Sequence, residues 1–242
     1  MTPEMTPSAV IFDCDGVLVD SEVIAFDLLA TDLAHYAPNL TRTQMETDLL
    51  GLTLAGVADK ARSLGADLPA DWVADFYARL YARLEQGAPL VPGILGVLDA
   101  LDAAKIPYAI GSNGSPRKMQ ITLGQHAGLI ARFHGRIYSG QEMPRPKPFP
   151  DLFLHAAAAM GTAPAHCIVV EDSPTGARAA RAAGMVCMGY APHDGAALAV
   201  EGALVFRKMA DLPVLWNLTT PAKPVSRKER VNRSRKRRCM YK

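Results

Sequence analysis

Short apolar runs recur along the chain, and segments with helical spacing separate them. A run without polar alternation is typical of a strand that a parallel sheet buries on both faces. The predicted strands are residues 9–12, 107–110, 136–139, 166–170, 185–189 and 204–206, and the helices that separate them include residues 94–101, 116–126, 151–160 and 174–183. Such alternation predicts βαβ units with right-handed crossovers, so we expect an α/β fold with a doubly wound parallel sheet.

After the first strand the pattern changes, because residues 20–88 have helical spacing and no convincing strand. We predict one helix that begins at Asp20 or Ser21 as N-cap and another over residues 71–86. Their inner faces are expected to carry Phe26, Leu29, Leu33 and Tyr36 in the first, and Val73, Phe76, Leu80 and Leu84 in the second. The chain therefore divides into an α/β core (residues 1–19 and 89–220), a helical insertion (residues 20–88) and a tail (residues 221–242).

Composition narrows the class of protein without changing this picture. With 49% hydrophobic and 21% charged residues, the 242-residue chain has the composition of a soluble globular protein. Its first residues, MTPEMTPS, have neither the basic nor the apolar region of a secretory signal. The four cysteines form no CxxC pair, which favours reduced thiols. We expect a cytoplasmic protein that is monomeric and does not bind membranes.

The net charge of +2 hides an uneven distribution of charge. The tail has ten Lys or Arg residues and one Glu, so it carries +9 and leaves −7 on the rest of the chain. One hypothesis is that the tail binds nucleic acid or an acidic partner through charge neutralisation. The alternative is a disordered extension without a part in catalysis, since the tail has almost no apolar residues.

Polar residues stand where several predicted strands end. They are Asp13 and Asp15 after the first strand, Ser112 and Asn113 after the second, Glu171 and Asp172 after the strand at 166–170, and Lys147 between two prolines. Taken alone, Asp13-Cys14-Asp15-Gly16 is equally compatible with an Asp-rich turn. Because parallel strands end at one edge of a sheet, however, these groups can converge there. Several carboxylates at one point require a cation, and hard oxygen ligands suit Mg²⁺ together with a phosphoryl group.

These segments resemble the four signature motifs of the haloacid dehalogenase superfamily of hydrolases. Residues 13–22 (DCDGVLVDSE) resemble motif one, Ser112 motif two, Lys147 motif three and Glu171-Asp172 motif four. The similarity covers residues 8–215, in the family's order and approximate spacing. It implies a Rossmann-like core with an inserted helical cap.

The resemblance also implies a role for each motif residue. Asp13 is the expected nucleophile that forms an aspartyl-phosphate, and Asp15 the expected acid and base. Ser112 would donate a hydrogen bond to the phosphoryl group, and Lys147 would balance the negative charges. The implied metal residues are Asp13, Asp15 (through its backbone carbonyl), Glu171 (through coordinated waters) and Asp172.

Asp15 distinguishes between reactions within the superfamily. A phosphate monoester needs an acid to protonate its leaving oxygen, whereas a halide leaves without a proton. A carboxyl group at this position therefore favours a phosphatase over a dehalogenase.

The helical insertion resembles the small C1 cap of the β-phosphoglucomutase-like branch. Its Gly51-Leu52-Thr53 resembles the substrate-specificity loop of that branch, so Gly51 is a candidate substrate-binding residue. The chain departs from the mutases where they carry a cap-loop Arg and a cap-helix His, since it has Leu54 and Ala25 there. The departure favours a hydrolase, with a phosphomutase as the alternative.

The segment after the second strand points to a class of substrate. Ser112, Asn113 and Gly114, together with Lys118, resemble the sugar-phosphate phosphatases that act on 6-phosphogluconate and similar phosphorylated acids. Arg117 and Lys118, near a helix N-terminus, would suit an anionic substrate. The alternative is that both are solvated surface charges. We thus predict an Mg²⁺-dependent phosphatase for a small phosphorylated metabolite.

Overall fold

A single parallel sheet of six strands forms the centre of the protein in the computed structural model, which describes residues 6–49 and 52–218. The strands are β1 (Ala9–Phe12), β2 (Tyr108–Ser112), β3 (Ile137–Ser139), β4 (Cys167–Glu171), β5 (Val186–Tyr190) and β6 (Leu204–Phe206). Their spatial order is β3-β2-β1-β4-β5-β6, and every pair is parallel. The predicted doubly wound α/β fold is confirmed, with strand boundaries within about two residues of the expected ones.

Four helices lie in the segment predicted as the helical insertion, and no strand lies among residues 20–49 and 52–88. They are α1 (Glu22–Tyr36), α2 (Arg42–Leu49), α3 (Leu54–Ser63) and α4 (Trp72–Glu85). Leu29 and Leu33 of α1 are buried as predicted, while Phe26 and Tyr36 are half-buried. On α4, Trp72 joins Phe76, Leu80 and Leu84 in the buried stripe.

Seven further helices pack along the sheet. They are α5 (Ile94–Ala104), α6 (Pro116–Gly124), α7 (Leu129–Arg132), α8 (Asp151–Ala159), α9 (Pro174–Ala182), α10 (Ala196–Val200) and α11 (Leu212–Leu215). Pro92 lies outside α5 rather than at its first position, because Gly93 is the N-cap and takes a left-handed conformation (φ 93°). Pro116 and Pro174 do begin their helices, after the side-chain caps Ser115 and Ser173.

The apolar residues of β1 divide between two cores, one on each face of the sheet. Val10 and Phe12 belong to a core that continues into the helical insertion, and Ile11 packs with Phe153 and Val169 on the other face. Successive side chains of a strand point to opposite faces, so an unbroken apolar run supplies both cores. In the described ranges, no helix is long and apolar enough to cross a membrane.

The division into core, insertion and tail stays a prediction. Gly51 and the tail (residues 221–242) lie outside the described residues. A single antiparallel bridge between Val19 and Leu90 joins the chain where it leaves the core to the chain where it returns. The helical insertion thus has two neighbouring connections to the sheet, which places it above the end of β1.

Candidate active site

The order of the strands brings the predicted motif residues to one edge of the sheet. Phe12 of β1 pairs with Val170 of β4, so Asp13 and Glu171 follow neighbouring strand positions. The Asp13 amide donates to the Val170 carbonyl (2.9 Å), which extends the ladder to Asp13, the expected nucleophile. Ser112 is the last residue of β2, on the other side of β1.

Lys147 connects Asp13 of motif one to Glu171 of motif four. Its Nζ donates to Asp13 Oδ1 and to Glu171 Oε1, each at 2.6 Å, and its side chain is only 3% exposed. The ammonium also lies 4.8 Å from the centre of the Phe153 ring. Burial by itself would lower the pKa of Lys147, but the carboxylates of Asp13 and Glu171 outweigh it and raise that pKa. Lys147 is therefore held as a cation.

One carboxylate oxygen of Glu171 bonds to Lys147, and the other bonds to Asp172 and Ser173. Its Oε2 accepts hydrogen bonds from the Asp172 amide, the Ser173 amide and Ser173 Oγ, all at 2.9 Å. A Cβ at Gly176 would lie 1.7 Å from Glu171 Oε1, so α9 approaches this carboxylate as closely as a glycine permits. Both oxygens of Glu171 are thus occupied, and the structure directs it to Lys147 rather than to an open ligand position.

Asp13 and Asp172 are carboxyl groups whose ionised forms are costly in this site. Burial raises the pKa of Asp13 to about 7, although Lys147 acts to lower it. Burial, followed by the charges of Glu171 and Asp13, raises the pKa of Asp172 well above its usual value. The Asp172 carboxylate lies against Gly16, where a Cβ would be 1.8 Å from Oδ2.

This donor set fits a divalent cation of the magnesium type. Mg²⁺ prefers one or two carboxylates, completed by other oxygens, and two crowded carboxylates with raised pKa values gain from added positive charge. Across residues 6–49 and 52–218, no three His, Cys, Asp or Glu side chains come together as a metal site. The predicted metal site does not need three side chains that bind the ion directly. Asp15 would bind through its backbone carbonyl, and Glu171 only through coordinated waters.

The Asp15 side chain is held by contacts other than those of Asp13. Its Oδ1 accepts from Ser21 Oγ (2.5 Å) and pairs with Lys118 Nζ (2.8 Å). Lys118 has only 20% of its side chain exposed, so it is no freely solvated charge. Burial would lower the pKa of Lys118, and the Asp15 carboxylate reverses this and raises it. The two carboxyl groups of motif one thus have separate partners.

The remaining predicted substrate residues differ in their exposure and in their contacts. Ser112 is buried, and its Oγ accepts from the Gly114 amide (3.1 Å) beside Asp15. Arg117 is exposed, with its guanidinium 5.5 Å from the ring centre of Tyr81 on α4. The Asn113 carboxamide bonds to the main chain of Lys147, and the substrate role of this exposed residue stays a prediction. The substrate role of Gly51 remains untested.

Sequence reasoning missed the hydroxyl groups that support the site. Of the two expected N-caps, Asp20 and Ser21, the structure places Ser21 at the N-cap of α1, but its hydroxyl forms no capping bond and donates to Asp15 instead. Ser173 is a true N-cap of α9 and also donates to Glu171. A serine that stands before a predicted helix can be recognised as a cap from the sequence. Its bond to a distant carboxylate cannot, because that bond depends on the tertiary fold.

A cavity of about 380 Å³ opens beside Asp172. Its walls come from the motif-one loop, the start of α1 and the segment after β5, including Gly16, Glu22, Tyr190 and Asp194. Asp172 therefore borders a space accessible to water, while Glu171 and Lys147 are enclosed.

Comparison with known proteins identifies the family of the chain. The family model described as haloacid dehalogenase-like hydrolase matches residues 7–184. A relative from Escherichia coli, named 6-phosphogluconate phosphatase, is 32% identical over 86% of this chain and 94% of its own length.

Solved structures of similar proteins support the same family. The crystal structure of a HAD family hydrolase from Deinococcus radiodurans, with bound phosphate and sodium, is 35% identical with a TM-score of 0.76, over 89% of this chain and 98% of the other. A putative beta-phosphoglucomutase from Thermotoga maritima shares the fold (24% identity, TM-score 0.70, 86% of this chain and 96% of the other). The resemblance seen in the four motifs is confirmed: the chain belongs to the haloacid dehalogenase-like hydrolases.

Proposed function

We propose that the protein is an Mg²⁺-dependent phosphatase that hydrolyses a small phosphorylated metabolite through an aspartyl-phosphate. One observation carries the proposal: Asp13 is buried against Lys147, while a second carboxyl group, Asp15, is held apart by Ser21 and Lys118. This arrangement suits one group that attacks and another that transfers protons.

The reaction then proceeds in two displacements. A carboxylate oxygen of Asp13 forms a bond to phosphorus as the bond from phosphorus to the ester oxygen breaks, and Asp15 gives its proton to the leaving alcohol. Asp15 next takes a proton from water, whose oxygen attacks phosphorus and releases phosphate and the Asp13 carboxylate. Ser112 donates a hydrogen bond to a phosphoryl oxygen during both steps, and Lys147 balances the negative charges of the carboxylates and of the transferring group.

The carboxylates of Asp13 and Asp172 and the carbonyl of Asp15 would hold the Mg²⁺ ion. When bound, the ion supplies positive charge that favours ionised Asp13 and offsets the charge of the phosphoryl oxygens. The raised pKa values of the two carboxyl groups support this assignment, because burial, together with neighbouring carboxylates, disfavours their ionised forms and a bound cation would offset that cost.

The substrate class rests on the relative named 6-phosphogluconate phosphatase and on the cations of α6. We infer a sugar phosphate or a phosphorylated sugar acid. Arg117 is exposed at the start of α6, next to the site, and can meet a carboxylate or hydroxyl of such a substrate. Lys118 would have to exchange Asp15 for the substrate, since the two are paired.

A phosphomutase is the alternative, and it requires cations in the helical insertion to hold a second phosphate. Arg79 of α4 pairs instead with Asp32 (3.0 Å), and Arg42 of α2 pairs with Asp27 (2.6 Å). Both arginines have acidic partners, and Leu54 and Ala25 stand where the mutases carry an Arg and a His, which together favour the hydrolase.

The test is phosphate release by the full chain from a panel of sugar phosphates and phosphorylated sugar acids. We expect release that requires Mg²⁺, stops with a chelator and is lost in Asp13→Asn, with the circular dichroism spectrum unchanged. Asp99→Asn, on the far side of α5 beside Arg132, is the matched control and should retain activity. Phosphate release by Asp13→Asn, or interconversion of hexose phosphates without release, would overturn the proposal.

A further inference from the structure

The side chain of Asn113 is bonded at both ends to one residue, Lys147. Asn113 Oδ1 accepts from the Lys147 amide and Asn113 Nδ2 donates to the Lys147 carbonyl, each at 3.1 Å. The carboxamide thereby pairs with the lysine main chain much as a residue of an adjacent β-strand would.

The local sequence explains why this pairing matters. Lys147 stands in the segment Pro144-Arg145-Pro146-Lys147-Pro148, whose three prolines have no amide hydrogen to donate. The segment therefore cannot be held by an ordinary strand ladder. The Lys147 amide is a donor between two prolines, and Asn113 satisfies it.

Neighbouring contacts hold Asn113 itself in place. Gly140, after β3, approaches so closely that a Cβ there would lie 2.2 Å from Asn113 Oδ1. Gln141 Nε2 donates to the Asn113 carbonyl (3.3 Å), and Ser139 Oγ donates to the Gly114 carbonyl (2.7 Å). The loop after β2 is thus bonded to the loop after β3.

We propose that Asn113 is a positioning residue that holds the Lys147 main chain so that its ammonium lies between Asp13 and Glu171. The Lys147 ammonium lies 2.6 Å from both carboxylates, and the lysine side chain is almost fully buried. The Lys147 main chain must therefore be held accurately. Displacement of a catalytic group by about 1 Å can cost about 100-fold in rate. The effect on turnover rests on the proposed function, whereas the hydrogen-bonded clamp does not.

The clamp itself is tested by amide hydrogen exchange. In Asn113→Ala, the Lys147 amide should exchange faster than in the wild type, while amides of β4 keep their protection. Gln141→Ala is the control, because it removes a contact to Asn113 without touching Lys147. Unchanged exchange at Lys147 in Asn113→Ala overturns the inference, whether or not the protein proves to be a phosphatase.

The link to turnover is tested by a double-mutant cycle with Lys147. We expect Asn113→Ala to lower kcat/KM by about 10- to 100-fold, divided between kcat and KM as in Lys147→Ala. In the Lys147→Ala background, the Asn113 change should cost almost nothing more. Losses that multiply would instead show that Asn113 acts independently of Lys147. Absence of phosphatase activity in the wild type would count against the proposed function and leave the exchange test to decide the clamp.

Gly140→Ala perturbs the same contact without removing the asparagine. Its Cβ would displace the Asn113 carboxamide, so the variant should reproduce the faster Lys147 exchange and the loss of kcat/KM. Combined with Asn113→Ala, which removes the obstructed atoms, it should add little. A Gly140→Ala variant with wild-type exchange and kinetics would contradict the proposal even if Asn113→Ala failed to fold.

Discussion

Replacing Gly176 by alanine should destabilise the protein, although alanine is the better helix former. Ala is favoured over Gly in a helix by about 0.5–1 kcal/mol. At Gly176 the added Cβ would lie 1.7 Å from Glu171 Oε1 and 1.9 Å from Glu171 Cδ, so the carboxylate must move. Moving it separates Glu171 from Lys147, and breaking a buried ion pair costs about 3–5 kcal/mol. The expected net loss is about 2–4 kcal/mol in the free energy of unfolding.

The assay is thermal and urea unfolding of the full chain. A loss of this size corresponds to a fall in Tm of about 5–15 °C for a chain of this length. Gly96→Ala is the matched control, because Gly96 lies in α5 with nothing within 4 Å of its added Cβ. That variant should gain about 0.5–1 kcal/mol. A Gly176→Ala protein as stable as Gly96→Ala would refute the packing of α9 against Glu171.

Three other outcomes follow from the described contacts. Asp32→Ala should cost about 1.5–3 kcal/mol in urea unfolding, because Trp72 Nε1 loses its partner at 2.6 Å; an unchanged midpoint would contradict this. Burial raises the pKa of Cys187 to about 12, so Cys187 should stay unmodified when the native protein is treated with a thiol reagent at pH 8 and should react only after unfolding, as read by peptide mass spectrometry; its modification in the native protein would contradict this. Deleting residues 221–242 should leave phosphatase turnover unchanged; lost turnover would give the tail a catalytic part, and salt-sensitive loss of nucleic-acid binding would support its other hypothesis.

Sequence patterns predict the sheet well because its strands are buried on both faces. Residues 166–170 contain an apolar run with no alternation, and β4 is buried over its whole length. The edge strand β6 is short and partly exposed, yet it was still recognised from Leu204 to Phe206. The small helices α7, α10 and α11 were not predicted, since segments of four or five residues have no usable period.

The membership of the candidate site also follows from sequence, but its connections do not. That Lys147 balances the carboxylates is implied by the family resemblance, and the structure places its Nζ 2.6 Å from Asp13 Oδ1. That both oxygens of Glu171 are already bonded depends on how α9 begins, which no spacing reveals. Asn113 is a second example. Its neighbours in sequence predict a substrate-binding residue, whereas its carboxamide bonds to Lys147, 34 residues away.

The most direct test of the account is to trap the covalent intermediate on Asp13. The full chain is mixed with Mg²⁺ and para-nitrophenyl phosphate, quenched during turnover and treated with borohydride, which reduces an acyl phosphate to an alcohol. Peptide mass spectrometry should then find the reduced side chain at Asp13 and nowhere else, and should find none in Asp13→Asn. Turnover without reduction at Asp13, or reduction at another carboxyl group, would contradict the assignment of the nucleophile.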